Sequence, residues 1–372
     1  MNGLNLPSES GSAGGGGPRP SLKDIAREAG VGKATVSLAL RNDPRLREST
    51  RKHIQEVAER MGYRANPTVA KLMFQLRASR TPRYAATLAL LNAAPDPTYL
   101  KSVPTFRRWV EGATDRAGQL GFSIDTFWMH DPAIRPARLI SIIESRGIQG
   151  LLIAGIQGNR LPEAFDPLWE RLPSVIVGVR PEWPQIHFAS NDQYSTMLRC
   201  AREILALGYR RPGLVIEPLV DGIVDFKFSA AFRVATAALP AADQIPVCAH
   251  ERGRQEPFRK WFREHRPDAI ITLHDDIRKW LEMGGNRVPD DVGLAHLDLG
   301  PQIEGWSGMD QISEQVGSAA MDLLSGQIHR NEHGIPPFPK CVLIEGRWVK
   351  GTTAVKQKGA AKRRGSSSAA AA

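Results

Sequence analysis

The residues whose types and spacing suit a chemical task cluster near the start of the chain. A helical projection of 33–41 turns Val36, Ala39 and Leu40 inward and leaves Lys33, Ala34, Ser37, Leu38 and Arg41 outward. The outward set is small and basic, a face that fits a DNA major groove about 12 Å wide. Hydroxyls at Ser21, Thr35, Ser37 and Thr50, beside helix N-termini, suit phosphate oxygens. The chemistry indicated is DNA binding.

Three enzyme-like motifs fail on their own requirements. Gly30-Val31-Gly32-Lys33-Ala34-Thr35 spells part of a phosphate loop, but Arg27 and Ala34 occupy places that need Gly and Ser or Thr. His329-Arg330-Asn331-Glu332-His333 spells an inverted zinc-peptidase motif, yet Gly334, Pro336 and Pro337 follow at once, so an exposed polar loop is expected. Gly305-Trp306-Ser307-Gly308 lacks the last glycine of a nucleophile elbow. No enzyme, metal site or cofactor is expected.

The elements that must hold the basic face are three helices. The first opens at Ser21-Leu22-Lys23-Asp24, a capping-box-like start, and offers Ile25, Ala26 and Ala29 to a core. Gly30 supplies a tight exit, and Val31 turns back toward the core. A second helix over 33–41 follows a turn so short that the two must cross steeply. A third, over 48–61, places Ile54, Val57, Ala58 and Met61 on one side.

From Tyr84 the pattern changes. Apolar runs at 86–91, 123–128, 150–154, 174–177, 213–217, 245–249, 269–273 and 292–297 alternate with amphipathic stretches. Those stretches, at 105–120, 137–145, 196–207, 229–238, 256–264 and 313–325, read as helices. Strand–helix alternation predicts parallel, doubly wound sheets, and two sets of four strands predict two lobes.

Charge follows the same division. The 372 residues carry +10 overall, but +8 of it lies in 21–83 and +6 in 350–372, leaving −4 over 84–349. A basic head and tail flank a mildly acidic body, so nucleic acid is expected to meet the head alone. Three distant cysteines, Cys200, Cys248 and Cys341, point to a reducing cytoplasm, and no apolar run is long enough for a membrane span. The expected domains are a disordered leader at 1–20, the head at 21–65, a hinge at 66–83, the body at 84–353 and a flexible basic tail at 354–372.

The run Leu22-Lys23-Asp24-Ile25-Ala26-Arg27-Glu28-Ala29-Gly30-Val31, continued by Thr35-Val36-Ser37 and by Gly62-Tyr63-Arg64-Ala65-Asn66-Pro67, resembles the DNA-binding head of the LacI/GalR family of transcriptional regulators. The resemblance implies that Lys33, Ala34 and Leu38 read bases, Lys33 by donating to guanine and the others through apolar contact. It places phosphate contacts on Thr35, Ser37 and Thr50, while Gly32 stands where the family usually has Ser. Asn66, a cap and further phosphate contact, opens a short hinge helix with Pro67 in its first position. That segment is well below the roughly 12–15 residues at which an isolated helix becomes marginal, so it is helical only when held. In the family such helices pair and press a leucine into the minor groove. Leu72 matches that leucine, and Val69 replaces the usual Ala.

Over about 84–353 the chain resembles the family's effector domain. The implied fold is an all-α helix-turn-helix head with a hinge helix, followed by an α/β two-lobed domain like a periplasmic binding protein. The landmarks are Asp192 ahead of Leu205-Ala206-Leu207-Gly208-Tyr209, and Val288-Pro289-Asp290-Asp291-Val292-Gly293. Ligands of open α/β sheets bind at strand ends. The resemblance assigns effector contacts to Asp298, to His274 and Asp275 in the usual Asn-Asp segment, and to Phe228, which falls where the family has an arginine. A remodelled pocket follows from that exchange.

The expected function is sequence-specific repression: a homodimer on a palindromic double-stranded operator, released by a sugar-like small-molecule effector, in the nucleoid-bearing cytoplasm. No membrane partner is expected, and no tetramer bundle, since no Leu heptads follow residue 350. Two readings stay open beside it. One is a DNA-binding regulator whose body has lost its ligand; the other is a solute-binding or hydrolytic α/β protein with an incidental head.

Overall fold

The computed structural model describes residues 20–40, 42–63, 86–300 and 303–357, which fall into a helical head and an α/β body. The leader, residues 358–372 and the hinge residues Asn66, Val69 and Leu72 lie outside the described residues.

The head contains the helices Leu22–Glu28, Lys33–Leu40 and Glu48–Arg60. The first two have only 7 and 8 residues, too short to persist alone, so their stability comes from packing. Ile25, Val36, Ala39, Ile54, Val57 and Ala58 close one buried core. Gly30, at φ 65°, makes the turn between the first two helices.

In the body the first lobe holds β1 (Ala86–Asn92), β2 (Phe122–Trp128), β3 (Leu151–Ala154), β4 (Ser174–Val177) and β5 (His187–Asn191). The second holds β6 (Pro212–Ile216), β7 (Cys248–Ala249), β8 (Ala269–Thr272), β9 (Gly293–His296) and β10 (Ser307–Asp310). Then β11 (Cys341–Ile344) joins the first sheet, in the order β11-β5-β4-β3-β1-β2, and β12 (Arg347–Val349) the second, in the order β12-β10-β9-β8-β6-β7. All pairings are parallel except β10 with β12.

Apolar runs such as Leu151–Ala154 and Ala269–Thr272 are buried on both faces, as parallel strands covered by helices must be. The sheets have six strands each rather than the expected four. The four extra strands are β5, β10, β11 and β12; β5 and β10 are polar in sequence, and β11 and β12 are edge strands.

Over the described residues the chain crosses between lobes three times, after β5, β10 and β11. Asn191 Nδ2 donates to Gln311 O at 2.8 Å and Asp192 N to Ile344 O at 2.9 Å, so the three crossings lie side by side. After the second crossing the Ser313–Arg330 helix returns Val316, Ala320, Met321 and Leu324 to the core of the first lobe. It lies backbone-close to the Pro104–Leu120 helix. A Cβ on Gly112 would overlap the Glu314 carbonyl, and one on Gly317 the Trp109 carbonyl.

Two boundaries differ from expectation. The last long helix continues past 325 to Arg330, because Gly334 and Pro336 lie too far on to stop it; Asn331, at φ 56°, ends it. Residues 354–357 belong to the body rather than to a flexible tail: Ala354 is buried, Val355 N donates to Tyr209 Oη, and Gln357 N donates to Leu207 O.

Candidate DNA-binding surface and inter-lobe cleft

In the head, Lys33 and Ala34 are fully outward, and Thr35, Ser37, Leu38 and Thr50 are half-buried. The Lys33–Leu40 helix thus presents one side while Val36 and Ala39 anchor the other. Its C-terminal end is clasped by the third helix: Gln55 Nε2 donates to Ala39 O at 3.0 Å, and Arg51 Nη1 to Asp43 O at 3.1 Å. Sequence reasoning gave Gln55 no role; a long amide at one helical turn past Arg51 is a weak signal for such a clasp. Ser21 differs from expectation. Its N–H and hydroxyl both donate to the Asp24 carboxylate, at 2.9 and 2.7 Å, so the hydroxyl proton is already used within the cap.

In the body, Asp298 lies just beyond the C-terminal end of β9. Its Oδ2 accepts a hydrogen bond from the Thr105 hydroxyl of the other lobe, while Oδ1 is buried without a protein partner. Burial pushes this carboxyl up to about 6, against the Thr105 hydrogen bond and the nearby Arg108 charge. Arg108, 8% exposed, holds the lobes together beside it. Its guanidinium donates to Glu314 at 2.7 and 2.8 Å, to Asp310 at 3.1 Å and to Leu299 O at 3.1 Å. Burial opposes its charge, but the bonds to Glu314 and Asp310 outweigh it, so the pKa is raised.

His274 and Asp275 separate. Asp275 is exposed at the start of the Asp276–Met283 helix, whereas His274 is buried and stacks on His250, with ring centroids 3.7 Å apart and planes within 5°. His250 in turn stacks on Trp280 at 5.4 Å, and its Nε2 lies 3.2 Å from the Asp276 carboxylate. Burial first, then His250, pushes His274 down to about 3; burial pushes His296 down to about 4. Sequence reasoning missed His250, Trp280, Thr105 and Arg108, because their partners are distant in the chain.

Phe228 is a correction. It is 3% exposed, packed in a cluster with Met197, Cys200 and Ala231. Its place in the first turn of the Lys227–Thr236 helix turns it onto the Gln193–Ala206 helix, where an apolar ring is favoured and an arginine would be costly. A cavity of about 330 Å³ lies instead beside Arg108, walled by Leu299, Trp306 and Lys350. The motif at 329–333 is dispersed: His329 Nδ1 lies 3.4 Å from Ser325 Oγ, and His333 Nδ1 3.1 Å from Arg171 O. Among the described residues no group of three or more His, Cys, Asp or Glu side chains could hold a metal ion.

Residues 21–66 match "Bacterial regulatory proteins, lacI family". The three-helix head is therefore similar to the DNA-binding head of that family. Similar transcriptional regulators match over most of the chain's length. The regulator PtxS of Pseudomonas putida is 26% identical over 83% of this chain and 90% of its own. The sucrose operon repressor of Escherichia coli is 26% identical over 76% of this chain and 87% of its own.

Among solved structures, a complex of the regulator CelR with cellobiose aligns with TM-score 0.57 and 18% identity, covering 90% of this chain and all of that one. The lac repressor dimer bound to operator and an anti-inducer aligns with TM-score 0.55 and 16% identity, over 90% and 99%. The fold is therefore that of these two regulators: a helix-turn-helix head and a two-lobed α/β body. No helix among the described residues is long and apolar enough to cross a membrane.

Proposed function

We propose that the protein is a transcriptional repressor that binds a palindromic operator as a homodimer and releases it on binding a small molecule between the lobes. The observation that carries the reading is the outward face of the Lys33–Leu40 helix, held by a core of its own in a basic head. On this reading Lys33, Ala34 and Leu38 meet base edges, and Thr35, Ser37, Thr50 and Asn66 meet phosphates. Val69 and Leu72 enter the minor groove. Ser21 contributes its helix start rather than a free hydroxyl proton. Two heads then read two half-sites, as the symmetry of a dimer requires.

In the body, Asp298 and His274 would contact the effector, with Asp275 at the rim; Phe228 supports the wall from behind. A ligand that displaces Thr105 from Asp298 changes the angle between lobes and shifts the population of DNA-competent dimers. Catalysis has no part in this scheme, and its place is the cytoplasm.

The test is a salt-dependent titration on a palindrome. Lys33→Ala should flatten discrimination between base variants, and Leu72→Ala should weaken binding through lost kinking. A Lys33→Ala protein that discriminates between base variants as strongly as wild type would sink the readout. The direct Thr105–Asp298 contact and the buried Phe228 favour a second reading, a body that closes without a ligand. A thermal-shift screen separates the two, since a true effector must stabilise the folded body by mass action.

A further inference from the structure

Among the described residues the two sheets leave four edges: β11 and β2 in the first, β12 and β7 in the second. Three of them are guarded. β2 carries Asp125, paired with Arg146 at 3.0 Å; β12 carries Arg347, paired with Asp310 at 3.0 Å; and β7 has only 2 residues. Charge and shortness are what keep an edge from adding a further strand. β11, with the sequence Cys341-Val342-Leu343-Ile344, has no charged side chain.

The bonds on its inner side define its open one. Phe188 N donates to Lys340 O at 3.1 Å and Asp192 N to Ile344 O at 2.9 Å, so residues 340, 342 and 344 bond to β5. A parallel ladder alternates, which turns the N–H and C=O groups of Cys341, Leu343 and Glu345 outward. No hydrogen bond among the described residues engages them. Apolar surface gathers at the same edge. Leu343 is 49% exposed, and Phe338, just ahead of the strand, is exposed too. Partial burial raises the Cys341 thiol while the charges of Lys227 and Arg180 act against it, so the start of the Lys227–Thr236 helix is close by. Phe226 precedes that helix, 62% exposed and held at φ 56°, a costly conformation for a bulky residue. Exposed apolar surface of this kind marks an interaction site.

We propose that a second copy of this chain adds to β11 as an antiparallel strand, about a two-fold axis at Leu343. The register follows from the outward groups, since only Cys341, Leu343 or Glu345 can meet its own counterpart there. An axis at Cys341 sets Pro339, which has no N–H, opposite Leu343; an axis at Glu345 sets two carboxylates against each other. The axis at Leu343 pairs Cys341 with the partner's Glu345 and Val342 with the partner's Ile344, and it opposes no like charges. The edge is thus complementary to itself. The pairing does not depend on the effector reading.

Sedimentation equilibrium of the full chain without DNA tests this. Leu343→Lys places a charge on the axis and should lower the average mass about twofold at equal concentration. Its circular dichroism should match wild type, because the side chain is exposed. Leu343→Cys, made in a Cys341→Ser chain, should cross-link to its counterpart on oxidation with diamide. Hydrogen-bonded antiparallel residues stand about 5.5 Å apart, inside disulfide range. Wild type should not cross-link through Cys341, which faces Glu345 instead. Equal mass for wild type and Leu343→Lys overturns the inference and leaves the edge to another protein. Cross-linking through Cys341, or none through Leu343→Cys, overturns it as well.

Discussion

Thr105 and Asp298 lie 193 residues apart in the chain and share a hydrogen bond across the cleft, hydroxyl to carboxylate. The bond spans two lobes that the chain crosses between three times, so any change of lobe angle must break or keep it. It sits beside the Arg108 bonds to Asp310 and Glu314, and together these contacts tie the two lobes to each other.

The Asp298 carboxyl is raised from 3.8 to about 6, so the folded state binds more protons than the unfolded chain between those values. Its stabilising contribution is fully present below pH 3.8 and lost as pH rises through 6, on the order of 3 kcal/mol. Asp298→Asn removes that dependence. The stability difference between variant and wild type, from urea melts, should rise in the variant's favour from pH 4 to pH 7. A flat difference would show that the carboxyl is solvated.

The histidines act with the opposite sign. His274 and His296 are lowered from 6.5 to about 3 and about 4, so the unfolded chain takes protons that the fold refuses. Their contribution is present above pH 6.5 and is lost as pH falls toward 4. The wild-type Tm should therefore fall on acidification through this window. His274→Gln should make that fall shallower, as read by thermal melts at pH 7 and pH 4.5.

Gly112→Ala and Gly317→Ala each drive a methyl into a helix backbone and should cost about 3 kcal/mol or more. Gly118, in the same helix as Gly112, has open space, and Gly118→Ala should stabilise by about 0.5–1 kcal/mol. Denaturant midpoints of the three variants check the contrast. Equal effects at Gly112 and Gly118 would refute the close approach.

Arg108→Ala leaves the Asp310 and Glu314 carboxylates without their shared cation, although Arg347 still reaches Asp310 at 3.0 Å. A loss of about 2–3 kcal/mol is expected from broken charged hydrogen bonds. It should largely disappear when Glu314→Gln is made together with it, in a double-mutant cycle.

Gln55→Ala removes one of two donors to the Ala39 carbonyl at the end of the second helix of the head, leaving that of Asn42 N. A loss of about 1 kcal/mol in head stability is expected, with weaker operator binding across all base variants alike. Fluorescence anisotropy on operator variants distinguishes this from the base-selective effect of Lys33→Ala.

How much of this could be read along the chain depends on the range of the interactions. The head was legible because its helices, its capping Ser21-Asp24 pair and its Gly30 turn are set by neighbours within a few residues. Eight of the strands announced themselves as apolar runs, since parallel strands bury both faces. β5 and β10 did not, because His187, Ser190 and Asn191, or Ser307, are polar residues buried by partners elsewhere, and Asp310 is a carboxylate held by arginines distant in the chain. The place of Asp298 past a strand end was readable from the run before it, whereas the burial of Phe228 was not: its direction depends on the pitch of one helix against another.

The sequence by itself determined a basic trihelical head, an alternating α/β body and the division of charge between them, since propensity, period and net charge are local quantities. Only the tertiary structure decided that His250 stacks on His274, that Arg108 bridges two carboxylates, and that Thr105 meets Asp298. Those contacts join strand ends and helices from different crossings of the chain. Their distances follow from how two sheets are wound, which no local pattern encodes.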